Sequence, residues 1–149
     1  MAFLGSFDIS ASGMSAQRVR MDIAAENIAN MDTTRTESGG PYRRKNVLLE
    51  SYSDTSFAQA TENAARGKGI TSRHAGVRVS GIVEDDREAK KVYNPDHTDA
   101  DADGYVTMPN VDVLKETVDS MSATRSYEAN VTALNAIKLM AQKALEIGK

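Results

Sequence analysis

The chain has 149 residues, 40% of them apolar but only 5% aromatic, with no Trp. Its apolar residues are mostly Ala, Val, Ile, Leu and Met, which suit helix seams better than a compact globule and predict an elongated molecule of one domain's size. A net charge of -3, spread over interspersed charges of both signs, gives no overall pull toward nucleic acid or anionic lipid. The lack of cysteine excludes disulfides, thiolate metal sites and Cys nucleophiles without fixing the compartment.

The opening segment MAFLGSFDISASGMSA has its first cation only at Arg18, and Gly5, Ser6 and Asp8 break its apolar run. It is not read as a cleavable secretion signal. No stretch approaches the roughly 18 uninterrupted apolar residues of a membrane span.

From Phe7 to Met31 the pattern predicts a helix. Phe7, Met14, Met21 and Ile28 fall at intervals of seven, with Leu4, Ala11 and Ala25 on an adjacent line. A stripe sustained over about three heptads calls for a partner helix, although a single amphipathic helix on a globular core would show a similar one.

Between Asp32 and Met108 the chain turns loop-rich, with β-like runs near Lys45 to Ser51, Gly76 to Glu84, Ala89 to Tyr93 and Gly104 to Met108. Ser53 to Ser72, carrying Arg66 and Lys68 with Arg73 just beyond, reads as a flexible loop with some helical tendency. From Pro109 to Lys149 there is no further Pro and no Gly before Gly148. Leu114, Val118, Met121, Tyr127, Val131, Leu134, Ile137, Ala141 and Leu145 recur there at threes and fours, which predicts a helix of roughly 60 Å.

Pro109 suits its first turn, Asn110 and Asp112 supply acceptors near its start, and Lys138 and Lys143 complement its negative end. So long a helix overhangs any core the chain could form, so its stripe must be covered by the N-terminal helix or by another molecule. The fold class is therefore α+β. Residues 1–31 and 109–149 supply the helices of a coiled-coil domain, and 32–108 form an inserted, loop-rich β module.

Asp99, Asp101, Asp103 and Gly104 match the first half of a calcium-binding EF-hand loop, but position twelve is Asn110 where a bidentate Glu belongs, and Pro95 precedes with no entering helix. The segment reads as a solvated acidic turn between strands. His74 and His97 lack metal-ligand spacing and read as loop or strand residues. The serines have no nucleophile elbow. Gly67-Lys68-Gly69 is not a phosphate loop, and Asn130-Val131-Thr132 lies within a helix.

Arg35, Arg43, Arg44 and Lys45 cluster, but only Tyr42 is available for base stacking and Glu37 and Glu50 flank them. They read as a solvated or subunit-facing loop rather than a nucleic-acid site. No catalytic residue, cofactor, metal or small-molecule substrate is expected.

Ala25-Glu26-Asn27-Ile28-Ala29-Asn30-Met31-Asp32-Thr33 resembles the A-x-N-[IL]-A-N-x-x-T motif of the axial proteins of the bacterial flagellum. Gly40-Pro41-Tyr42-Arg43-Arg44, Asn94-Pro95-Asp96-His97, Gly104-Tyr105-Val106, Met108-Pro109-Asn110-Val111 and Arg125-Ser126-Tyr127-Glu128-Ala129-Asn130-Val131 extend the resemblance over nearly the whole chain. Within that family their order and spacing are similar to those of the proximal-rod subunits. The acidic turn at Asp99 to Asp103 is itself part of the match.

The resemblance implies a structural subunit of the basal-body rod, the drive shaft crossing the periplasm. Its terminal helices would form a coiled-coil core layer and its middle segments an outer domain. It also implies export through the flagellar type III apparatus without a cleaved signal. Partners would be further copies and the other proximal and distal rod proteins. Another rod or hook subunit and a self-contained helical adaptor are the alternatives; the short middle segment and the Asn94 to Asn110 block favour the proximal rod.

The assembly-interface residues expected on this reading are Phe7, Met14, Met21, Asn27, Ile28 and Asn30 on the first helix. On the second they are Leu114, Val118, Met121, Arg125, Tyr127, Asn130, Val131, Leu134 and Ile137. Of Asn27 and Asn30, one is accounted for by capping the first helix; the other either caps as well or donates across to the second helix, where a buried polar group would fix register. Tyr127 is either an ordinary core residue or a ring reaching a polar partner beside small Ala129. Arg125 interrupts the stripe and is expected to find a carboxylate, in a neighbouring subunit or in Glu128 at i+3.

Overall fold

The structure is a computed structural model that describes residues 2–37, 39–53, 61, 65 and 75–147. The loop expected at Ser53 to Ser72 lies outside these residues except for Ser53, Thr61 and Ala65, and so do Arg73 and His74. The described elements are α1 (Ala2–Ala29), β1 (Lys45–Ser53), β2 (Ala75–Glu84), β3 (Lys90–Tyr93), β4 (Tyr105–Met108) and α2 (Val113–Ile147). The chain is α+β, as its sequence indicates. β1 and β2 form one two-stranded sheet and β3 and β4 another.

The described residues fall into two compact units. One draws on 1–18, 49–80 and 125–149, the other on 19–48 and 81–124. In the first unit α1 faces β2 through Ser12, whose Oγ accepts the Val77 N–H at 3.2 Å. A Cβ added to Gly76 there would stand 2.9 Å from Ser12 Oγ. α1 also faces α2 closely, since a Cβ on Gly13 would lie 3.0 Å from Asn130 Oδ1. In the second unit the two helices run antiparallel. The Thr124 hydroxyl donates to the Met21 sulfur at 3.3 Å, and Asn27 meets Glu116 further along.

Both helix ends differ from expectation for local reasons. α1 extends back to Ala2 and stops at Ala29 rather than Met31. The Asn30 side-chain amide bonds the Glu26 carbonyl at 3.0 Å, and the Met31 N–H turns to Ile28 at 3.3 Å, tightening the last turn. α2 begins at Val113, not Pro109. Asp112 is its N-cap, with Oδ1 accepting the Leu114 N–H at 3.1 Å and its carbonyl accepting the Glu116 N–H at 3.0 Å.

Asn110 does not cap the helix. It accepts from the Arg44 N–H and donates to the Arg87 carbonyl. The 35 residues of α2 span about 52 Å. Lys138 and Lys143 fall before its last turn, which carries no basic residue.

The heptad line Phe7, Met14, Met21 and Ile28 is only half-buried. The buried positions of α1 are Gly5, Ser10, Ala16, Ala24 and Asn27. On α2 the inward row runs through Glu116, Ser120, Ala123, Tyr127, Asn130, Leu134, Ile137 and Ala141. Leu114, Val118 and Met121 are 79%, 64% and 54% exposed on the other side. Small residues take the closest approach and displace bulkier side chains to the flanks, which a count of apolar residues alone does not reveal.

β3 and β4 pair antiparallel in the register Lys90↔Met108 to Tyr93↔Tyr105. Val106 is 1% exposed, whereas all four β3 residues are exposed. Asp99 to Asp103 lie in the connection between these strands, where the Gly104 N–H bonds the Asp101 carbonyl and the Asp101 N–H bonds the Tyr105 carbonyl, both at 2.8 Å. Gly104 has φ +78°, and an added Cβ would stand 2.9 Å from the Tyr93 ring. That ring meets Tyr105 edge-on at 5.3 Å. Gly104→Ala is therefore expected to destabilise the chain by about 2 kcal/mol, read as a lowered urea midpoint.

Candidate functional site

In the second unit, three segments distant in sequence converge on one buried polar cluster: the end of α1, residues 42–46, and the first turns of α2. Asn27, 1% exposed, is its centre. Its Nδ2 donates to Glu116 Oε2 and to the Lys45 carbonyl, each at 2.9 Å. Its Oδ1 accepts from the Tyr42 hydroxyl and the Lys45 N–H, each also at 2.9 Å. One primary amide thus meets the end of α1, the entry to β1 and α2 at once, with both its donor and acceptor groups used.

Glu116, 2% exposed, sits on the inward face of α2. Its other oxygen accepts from Arg44 Nε at 2.5 Å. The Arg44 guanidinium, 11% exposed, also reaches Asp119 at 3.4 Å and Asp85 at 3.9 Å, and bonds the Asn46 side chain. A buried carboxylate is tolerated only when so paired, and removing one partner strands the other charge. Lys45 completes the surround, binding Glu26 at 2.5 Å with its ammonium 5.7 Å from the Tyr42 ring centroid. Among the described residues no buried side-chain nitrogen or oxygen lacks a partner.

The environment shifts three groups. Burial first, then the charges of Glu26, Glu116 and Glu84, push the Tyr42 hydroxyl up to about 12. The Arg87 side chain, hydrogen-bonding Asp85, holds that carboxyl down at about 2, and Asp85 in turn raises Arg87. A cavity of about 130 Å³ beside the cluster is lined by Arg20, Asn27, Arg44, Lys45, Glu116 and Asp119 among others. Charges of both signs, mutually engaged, suit the holding of helix register.

Asn30 caps α1 and Asn27 donates to the second helix, so the two asparagines divide the roles left open by their spacing. Tyr127, Asn130, Val131, Leu134 and Ile137 are half-buried on the inward side of α2. Arg125 is exposed and forms no ion pair with Glu128 or any other described carboxylate; an exposed guanidinium needs none.

Arg44 and Lys45 are not part of a solvated loop, because their charges are turned into the cluster; Arg43 alone of the three is exposed, 3.6 Å from Asp86. Tyr42, Arg44, Asp85, Glu116 and Asp119 are the site residues that sequence reasoning missed. One signal for Glu116 existed: Glu116, Ala123, Asn130 and Ile137 form a line of sevens, polar where a seam is expected to be apolar.

Long terminal helices locked by a buried polar register, with a second apolar row turned outward on α2, define a helical assembly subunit. Two family models match the end segments: a flagella basal body rod protein model over residues 7–35, and the C-terminal model of flagellar basal body rod FlgEFG proteins over 102–147. These segments contain Asn27 and Glu116.

The chain is 52% identical over 153 residues to the flagellar basal-body rod protein FlgC of Bacillus subtilis (strain 168), with 100% of both chains covered. It is 42% identical over 149 residues to FlgC of Salmonella typhimurium (strain LT2), again over 100% of both. With FlgC of Borreliella burgdorferi identity is 38% over 154 residues, covering 99% of this chain and 98% of the relative. The chain belongs to the FlgC family of flagellar basal-body rod proteins, whose members are structural.

Asn27→Ala removes one partner each from Glu116, the Tyr42 hydroxyl, and the Lys45 N–H and carbonyl. It is expected to cost about 3 kcal/mol in urea unfolding. Because the Tyr42 hydroxyl is raised from 10 to about 12, its contribution is complete below pH 10 and is lost as pH rises toward 12, where the unfolded chain ionises first. Comparing urea midpoints across that window, the decline for Tyr42→Phe should be shallower than for the parent chain.

Proposed function

We propose that the chain is a non-enzymatic subunit of the proximal rod, built into the periplasm-crossing drive shaft by packing of its terminal helices. The observation that carries this reading is the outward row Leu114, Val118 and Met121, an apolar face of α2 on the side away from the buried Glu116 and Ala123. Apolar rows on two sides of one helix suit a helix covered by more than its own chain.

The subunit's neighbours are further copies and the other proximal and distal rod proteins, and it reaches them through the flagellar type III export apparatus without loss of a signal peptide. Residues 1–31 and 109–149 supply the core layer, and 32–108 the outer module. No cofactor or substrate takes part; the work is mechanical. Membership of the FlgC family and the match of both end segments to rod-protein models support this placement.

The helices gain order as their rows are buried in the growing rod. Between Arg125 and Glu146 no residue is buried within the lone chain, consistent with an end that awaits neighbours. Limited proteolysis of the dilute subunit should trim both ends before the middle, and helicity by circular dichroism should rise with concentration. Resistance of both termini in the absence of partners would refute the coupling.

A further inference from the structure

The outward faces of the two helices differ in kind. On α2, Leu114, Val118, Met121 and Arg125 follow one another at spacings of four, three and four and are all exposed. At 100° per residue they form a single row opposite Glu116 and Ala123. On α1 the row opposite buried Ala24 and Asn27 contains Asp22, Ala25 and Ala29, exposed and small apart from the carboxylate. One helix presents protruding apolar side chains; the other presents a shallow surface on which they can sit.

Unpaired charges flank both rows. Among the described residues, Lys115 and Arg125 beside the α2 row have no carboxylate partner, and Asp22 and Asp32 beside the α1 row have no cationic one. Lys115 and Arg125 stand ten residues apart on α2, about 15 Å along the helix, whereas Asp32 lies three residues past the end of α1 at Ala29. An antiparallel arrangement that sets Arg125 against Asp22 also sets Val118 against Ala29, both within their helices. Copies pointing the same way present α2 and α1 to each other antiparallel, because the two helices are antiparallel within the second unit.

We propose, building on the rod-subunit reading, that the Leu114-Val118-Met121 row of one copy seats on the Asp22-Ala25-Ala29 row of the next, with an Arg125–Asp22 ion pair setting the register. The two surfaces differ, so the contact is heterologous and leaves each end of a pair free to add another copy. A parallel, self-matching α2–α2 contact would instead bring Lys115 and Arg125 against their own copies.

The test uses the natural absence of cysteine. The full chain carrying both Ala29→Cys and Val118→Cys, expressed in a flagellated strain lacking its own copy, is oxidised and run on a non-reducing gel. The two positions lie on outward faces, so a bridge between them joins different copies. Multimers larger than dimers from the double variant, with neither single variant linking to itself, are the expected result. Adding Arg125→Glu should reduce the yield several-fold, and adding Asp22→Arg to that variant should restore it.

Three outcomes would overturn the proposal: no multimer from the double variant, self-linking by Val118→Cys alone, or linkage only to a different rod protein. Motility restored by the unsubstituted chain keeps the rod-subunit reading intact in each case. Failure of the unsubstituted chain to restore flagella would count against that reading instead.

Discussion

The second unit depends on the buried pair of Arg44 and Glu116, with Asn27 between the helices. Each group would be costly to bury alone. A carboxylate 2% exposed needs its cation, and the guanidinium needs its ring of carboxylates. An apolar seam tolerates slippage by a turn with modest loss, whereas a seam holding one carboxylate, one amide and one guanidinium has a single satisfied arrangement. Stability is traded for a defined alignment of α1, the entry to β1 and α2.

That alignment has a mechanical meaning in a subunit whose family builds a rod. A helix pair that could slide would yield under load, and its outward rows would lose their phase relative to each other. With α1 and α2 fixed to each other in the second unit, their opposite outward faces are fixed as well. Intramolecular polar contacts thus set the geometry of whatever packs on the outside.

Much of the fold was legible in the sequence. The four strands fall close to where the β-like runs and turn residues placed them, although β3 is exposed along its whole length. The helices were legible from spacing and the lack of breakers, although their ends were decided by particular hydrogen bonds of Asn30 and Asp112. The inward faces were not legible. Bulky residues dominate a periodicity reading, yet Gly13, Ala16, Ala24 and Ala123 take the closest positions and send Leu114, Val118 and Met121 outward. The polar cluster was half legible: the pattern singled out Asn27, but Arg44 resembled any loop cation until its distant carboxylates came into place.

The Asn27–Glu116 bond joins residues 89 apart in the chain, and Arg44 reaches Glu116 across 72. Contacts of such separation close late, since a large loop must be ordered before they return any free energy. Until the first turns of α2 are available, Arg44 lacks the Glu116 carboxylate and the Asn27 amide lacks one of its two acceptors. The cluster that aligns the two helices is therefore completed only after the chain through the first turns of α2 is in place.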